Sequence, residues 1–211
     1  MKRFSSLFFL FALGAAALIA GDARLFYSRE FPGSTPAYFS VTLAKSGDTE
    51  YREAVDDDQP LKFKLDSNSI TEIWGLAEKL GFFKHPIESP AKVAFMGTKT
   101  FRLENGDEKS EVKFNYSDIK EAQDLQDWFE RMAESAQHRI ELERTSKYDR
   151  LGVVNALILL ESALERDRIV APEQFLPLLD RISNNENFMH AARARASEIA
   201  EGIRAMQQQQ R

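Results

Sequence analysis

Residues 36–83 constrain the fold more tightly than any other stretch, because they specify three strands and a helix in succession. Phe39, Val41 and Leu43 alternate with Ser40, Thr42 and Ala44, the period-two pattern of a half-buried strand. Ser46-Gly47-Asp48 is rich in turn formers, and glycine adopts positive φ without steric cost. Alternation resumes over residues 49–55, with Tyr51, Glu53 and Val55 on one face, and breaks at Asp56-Asp57-Asp58. After Pro60, Leu61, Phe63 and Leu65 face one way and Lys62 and Lys64 the other, a charged pattern that discourages edge pairing. A helix follows. Ser69-Ile70-Thr71-Glu72 has capping-box spacing, with Asp66 and Ser67 as rival caps. Ile70, Ile73, Trp74, Ala77 and Leu80 form one apolar stripe. Gly81 stands where a left-handed residue would end the helix, and Phe82 and Phe83 return the chain to the core. One striped helix and one apolar sheet face imply two-layer packing.

The remaining chain extends this pattern. Leu25, Tyr27 and Phe31 alternate with Phe26 and Ser28, as in a short edge strand ended by Pro32-Gly33. Residues 92–116 read as further sheet: Val93 and Phe95 alternate with Ala94 and Met96, then Phe101 and Leu103 with Thr100 and Arg102. Asn105-Gly106 is a strong hairpin signal. A two-residue loop would oppose Glu104 and Asp107. A four-residue loop opposes Glu104 and Lys109, with Phe101 opposite Val112, and replaces repulsion by attraction worth ~0.2–1 kcal/mol. Ser117 or Asp118 is the expected cap of a long helix to about residue 144, whose stripe runs from Ile119 to Ile140 and whose far end leaves the sheet. Beyond residue 146 the pattern is wholly helical. Residues 151–164 are apolar nearly all round, as in a helix covered on more than one side. Pro172 suits the first turn of the next helix, Pro177 is placed to kink it, and a last helix ends in a polar tail. The expected fold class is α+β: an antiparallel sheet of about five to six strands packed by two helices, followed by a C-terminal helical segment. The expected domains are residues 24–146 and 147–211.

Residues 1–23 have the pattern of a signal peptide. Lys2 and Arg3 precede an apolar run over residues 7–19, and Ala15, Ala16, Ala17, Ala20 and Ala23 supply small residues for cleavage after Ala23, Ala20 or Ala17. The run is shorter than the ~20 residues of a membrane span, so export with cleavage is expected over retention as an anchor. The chain has no cysteine, which rules out a lipid anchor on that residue and disulfide staples alike. Lys2, Arg3 and Asp22 would leave with the signal, making the mature chain one charge more negative than the −5 of the whole. That acidity argues against nucleic acid or an anionic membrane as the main partner.

Catalytic motifs are missing. His85, His138 and His190 are far apart, and without cysteine a transition-metal site has no local ligand set. The three aspartates at 56–58 lack the spacing and glycine of a calcium loop. Ser-x-x-Lys occurs at Ser89 and Lys92 and at Ser117 and Lys120, without the companion elements of penicillin-recognising enzymes. No catalytic, cofactor or metal residue is therefore assigned. The candidate partner-binding residues are Tyr38, off the inward strand face, and Gly47 and Asp48 at the turn, with Phe26 a further aromatic of that kind.

Pro36-Ala37-Tyr38, the Gly47-Asp48 turn, Tyr51, the helix over residues 70–80 and Phe82-Phe83 follow in an order that resembles small domains of unknown function in exported bacterial proteins. The resemblance covers about a quarter of the chain and implies a bacterial envelope setting. Such domains often carry cysteine near Pro-x-Tyr; Ser34 and Thr35 stand here, which counts against a shared metal or redox role. The resulting expectation is a non-enzymatic periplasmic or secreted protein that binds another envelope protein or component, or serves a structural role. The alternative is a hydrolase-type enzyme whose site assembles from scattered Ser, Asp, Glu and His.

Overall fold

The computed structural model describes residues 23–209; the expected signal lies almost wholly outside them. Six strands form one antiparallel sheet: β1 (Arg24–Glu30), β2 (Tyr38–Ala44), β3 (Asp48–Arg52), β4 (Leu61–Lys64), β5 (Thr98–Asn105) and β6 (Glu108–Phe114). Their spatial order is β4-β3-β2-β1-β5-β6. The helices are α1 (Ser67–Lys79), α2 (Lys120–Tyr148), α3 (Val153–Glu165), α4 (Leu176–Ser183) and α5 (His190–Gln209). The protein is thus α+β, with a helical C-terminal part.

The inner sheet face packs under α1 and α2. Leu25, Tyr27, Val41, Tyr51, Phe101 and Phe114 meet Ile73 and Ala77 of α1 and Leu125, Phe129 and Met132 of α2 in one core. Aromatic rings run through it: Tyr27 stacks on Phe129 at 5.3 Å, and Phe83 on Phe101 at 5.2 Å. The other sheet face carries ion pairs instead, among them Lys62–Glu50 at 3.1 Å and Arg102–Glu111 at 3.5 Å. Phe26 lies on that face, half-buried, with the Arg102 guanidinium 4.0 Å over its ring. A second core joins Leu142, near the far end of α2, to Leu157 and Leu160 of α3, Leu179 of α4 and Ile199 and Ile203 of α5.

Several elements depart from their sequence pattern. β1 is a central strand, not an edge, because β5 pairs along its whole length on the side away from β2. β3 ends at Arg52, where its pairing with β2 ends, and Val55 is 80% exposed. Residues 92–96 are not a strand. Both sides of β5 are occupied, by β1 and β6, and the backbone of this segment, at residues 94 and 96, bonds the Asn115 side chain instead of a strand. Gly97, at φ +95°, turns it into β5; a Cβ there would lie 2.8 Å from the Phe31 Cβ. Asp66 caps α1, accepting from the Asn68 and Ser69 N–H groups and the Ser69 hydroxyl. α2 starts at Lys120 with no side-chain cap; the Ser117 hydroxyl accepts instead from Ile119 N–H at 3.3 Å. Pro172 opens a separate 3-10 turn (Pro172–Phe175), and Pro177 lies in the first turn of α4, so no kinked helix forms. α3 is not covered all round, since Ile158 and Leu159 stand 43% and 48% exposed. The hairpin pairs Glu104 with Lys109 and Phe101 with Val112, as the charge argument requires. It adds an Asn105–Glu108 pair, which leaves Gly106 and Asp107 as the turn.

Candidate functional site

At one end of the inner sheet face the apolar pattern gives way to charge. Phe39, Arg29, Lys99 and Phe114 sit side by side on β2, β1, β5 and β6. The next row inward, Val41, Tyr27, Phe101 and Val112, is core. The two cations border their phenylalanine neighbours, Arg29 at 4.7 Å from the Phe39 ring centre and Lys99 at 5.9 Å from that of Phe114. Glu130 of α2 descends onto this row. Its Oε1 accepts from the Tyr27 hydroxyl at 2.6 Å and its Oε2 from Arg29 at 2.9 Å. Burial pushes the Tyr27 phenol well above its ordinary pKa, and the Glu130 charge adds to the shift, so Tyr27 stays a donor.

A cleft of about 690 Å³ opens beside this group. Arg29, Lys99 and Glu130 line it from the sheet and α2; Asp127 and Arg168 line it further along, joined at 2.6 Å. Val93, Ala94, Met96 and Tyr116 form its apolar side. Asn115 holds the loop that carries them: its Oδ1 accepts from Met96 N–H at 2.7 Å and its Nδ2 donates to the Ala94 carbonyl at 3.1 Å. Val93, Phe95 and Met96 nevertheless stay 44%, 57% and 58% exposed. Phe95 reaches back to Phe31 in an edge-on contact at 6.1 Å.

Lys99 is the unusual member. It is only 6% exposed, and its ammonium donates to the Asn115 carbonyl at 2.6 Å. No carboxylate of the described residues reaches ion-pair distance from it. Burial chiefly lowers its pKa; Glu130 and Glu88 oppose that shift and Arg29 adds to it. No protein-family model matches this chain, and no curated protein is significantly similar to it.

The residues singled out from sequence lie elsewhere. Tyr38 is half-buried at the start of β2, opposite Glu30. Gly47 and Asp48 lie at the other end of that strand, so the three do not converge. Gly47 is buried at φ +91°, and a Cβ on it would come within 2.5 Å of Ile70 Cδ1. It serves the packing of α1 over the turn. Asp48 is exposed and accepts from Ser46 Oγ at 2.9 Å. Ser89 is buried and donates to Asp118 at 3.2 Å. No histidine lines the cleft among the described residues, and no three His, Asp or Glu side chains among them gather to hold a metal ion. Sequence reasoning passed over Arg29, Lys99 and Glu130. The available signal was parity: Arg29 shares a face with Leu25 and Tyr27, and Lys99 with Phe101 and Leu103, so two basic residues point inward on otherwise apolar strands.

Proposed function

We propose that this chain is a non-enzymatic protein of the bacterial cell envelope and that its cleft beside Lys99 binds an envelope component. Export is supported by the basic-then-apolar N-terminal segment with its run of small residues. No helix of the described residues is long and apolar enough to cross a membrane. Binding rests on one observation, the buried Lys99 ammonium with a single hydrogen bond. A desolvated cation with so little compensation burdens the fold, and a ligand acceptor would offset that burden.

Two measurements test the reading. The full chain, expressed in a bacterium, should be recovered from the envelope or medium with a new N-terminus at or near residues 18–24. Recovery from the cytoplasm with residue 1 intact rejects export. Native mass spectrometry of the recovered protein should show a co-purifying small molecule that is lost in Lys99→Met. A ligand-free protein rejects the binding site.

A further inference from the structure

We infer that the cleft takes an amphipathic monocarboxylate, with its acidic head on the Lys99 ammonium and its apolar body along Val93, Met96 and Tyr116. This rests on the proposed binding role and adds the chemistry of the ligand.

The acids of the cleft are already matched within the protein. Both Glu130 oxygens are engaged, by Tyr27 and Arg29. Asp127 is bracketed by Arg168 at 2.6 Å and Arg131 at 3.1 Å, and Arg168 also holds Glu134 at 2.8 Å. Among the described residues, Lys99 is the lining cation left without a carboxylate, and an ammonium can donate three hydrogen bonds where this one donates a single bond. Glu88, exposed and accepting from Asn115 N–H at 2.6 Å, acts on it only at longer range.

That arithmetic favours a single negative charge. The charges of the two guanidinium groups lining the cleft are already matched, Arg29 by Glu130 and Arg168 by Asp127 and Glu134, so neither brings an uncompensated positive charge to a phosphate. A dianion would bring two charges to Lys99, whose charge alone is unmatched among the described lining residues, with Glu130 alongside. A carboxylate supplies one charge and the acceptor lone pairs that the remaining Lys99 donors lack.

The apolar half of the ligand follows from the loop. Its Asn115 clamp presents Val93 and Met96 toward the cleft while leaving much of their surface to water. Covering that surface is the favourable step that a small hydrophilic anion cannot provide. The cleft volume lies in the range of small-molecule sites.

Calorimetric titration of the full protein, with amide chemical-shift mapping, tests this using three probes: decanoate below its micelle concentration, uncharged decyl glucoside and acetate. Decanoate should bind, with shifts centred on β5 and residues 93–97, and glucoside and acetate should bind at least tenfold more weakly. Lys99→Met and Met96→Asp should each weaken decanoate at least tenfold, while circular dichroism and melting confirm that both variants are folded. On saturation with decanoate, the Lys99 ammonium should titrate at higher pH than in the free protein. Equal affinity for glucoside, or decanoate binding unchanged in Lys99→Met, overturns the carboxylate. Equal affinity for acetate overturns the apolar body. Absence of decanoate binding overturns the inference as a whole. If a small molecule still co-purifies and is lost in Lys99→Met, the binding site stands and only the ligand class falls; if neither is seen, both fall.

Discussion

Lys99 costs the fold something at neutral pH, and the sign of that cost can be worked out. Its pKa lies below the ordinary lysine value, chiefly because burial disfavours the charged form. Between the two values the unfolded chain holds a proton that the folded chain does not, so stability rises with pH across that window. Lys99→Met removes the buried charge and should stabilise the ligand-free protein by about 1 kcal/mol or more at neutral pH. The gain should shrink as the pH rises through the lowered folded value and vanish above about 10, where Lys99 of the unfolded chain loses its proton as well. Urea denaturation at both pH values reads this, and a Lys99→Met protein less stable than wild type at neutral pH would count against it. Asp66 shows the opposite linkage. Burial raises its pKa, but the Ser69 hydroxyl and the N–H groups of Ser69 and Asn68 outweigh burial and hold it below the ordinary value. Its stabilisation is full above the ordinary carboxylate range and is lost as pH falls through the depressed folded value. Asp66→Ala should therefore cost about 1 kcal/mol at neutral pH. The melting temperatures of variant and wild type should converge near about pH 2.

α2 binds the two halves of the molecule through its sides as well as its length. Ser135 is fully buried on it; its hydroxyl donates to the Arg131 carbonyl and accepts from Val170 N–H, both at 2.8 Å. Val170 lies in the segment between α3 and α4, yet its side chain packs in the sheet core. Two residues earlier, Arg168 pairs with Asp127 and Glu134 of the same helix. Ser135→Ala removes the acceptor from a buried N–H and should cost about 1–3 kcal/mol, read as a lower urea midpoint with an unchanged slope. These ties explain what could be read from the chain and what could not. Strand alternation and helix stripes are local, so β2, β4, β5, β6 and α1 were legible from Phe39, Leu61, Phe101, Val112 and Ile73. The charge on Lys109 fixed the hairpin register correctly. Neighbours in space are not local. Val93 and Phe95 alternate like a strand but lie outside the ladder, with both sides of the β5 that follows taken by β1 and β6, and β1 looks like an edge until β5 is placed beside it. The cleft depends on the same kind of information, because Arg29 and Glu130 are 101 positions apart. Their inward direction could be counted from parity, but their meeting could not.

At the scale of the molecule, the described residues form two cores with one continuous rod between them. α2 has 29 residues, about 43 Å at helical rise. Phe129 and Met132 on it belong to the sheet core, and Leu142 to the helical one. Two arrangements of stability are compatible with two hydrophobic clusters: separate melting of each, or one cooperative transition carried by α2 and the Val170 anchor. The anchor favours the second, because unfolding α3 to α5 would pull Val170 from the sheet core and strip Ser135 of its partner. The tryptophans make this testable. Trp74 on α1 and Trp128 on α2 are the two in the chain, and both pack against the sheet core, Trp128 donating to Glu72 at 3.1 Å. Leu157 is fully buried in the other core. Leu157→Ala should cost about 2–5 kcal/mol there. If the molecule unfolds as one unit, the variant lowers the urea midpoint seen by tryptophan fluorescence as much as that seen by far-ultraviolet circular dichroism. If the cores are independent, fluorescence keeps its wild-type midpoint while the dichroism splits into two steps. The expected result is the coincident shift, because both tryptophans pack against the sheet core and Leu157 belongs to the other, with α2 and the Val170 anchor coupling the two.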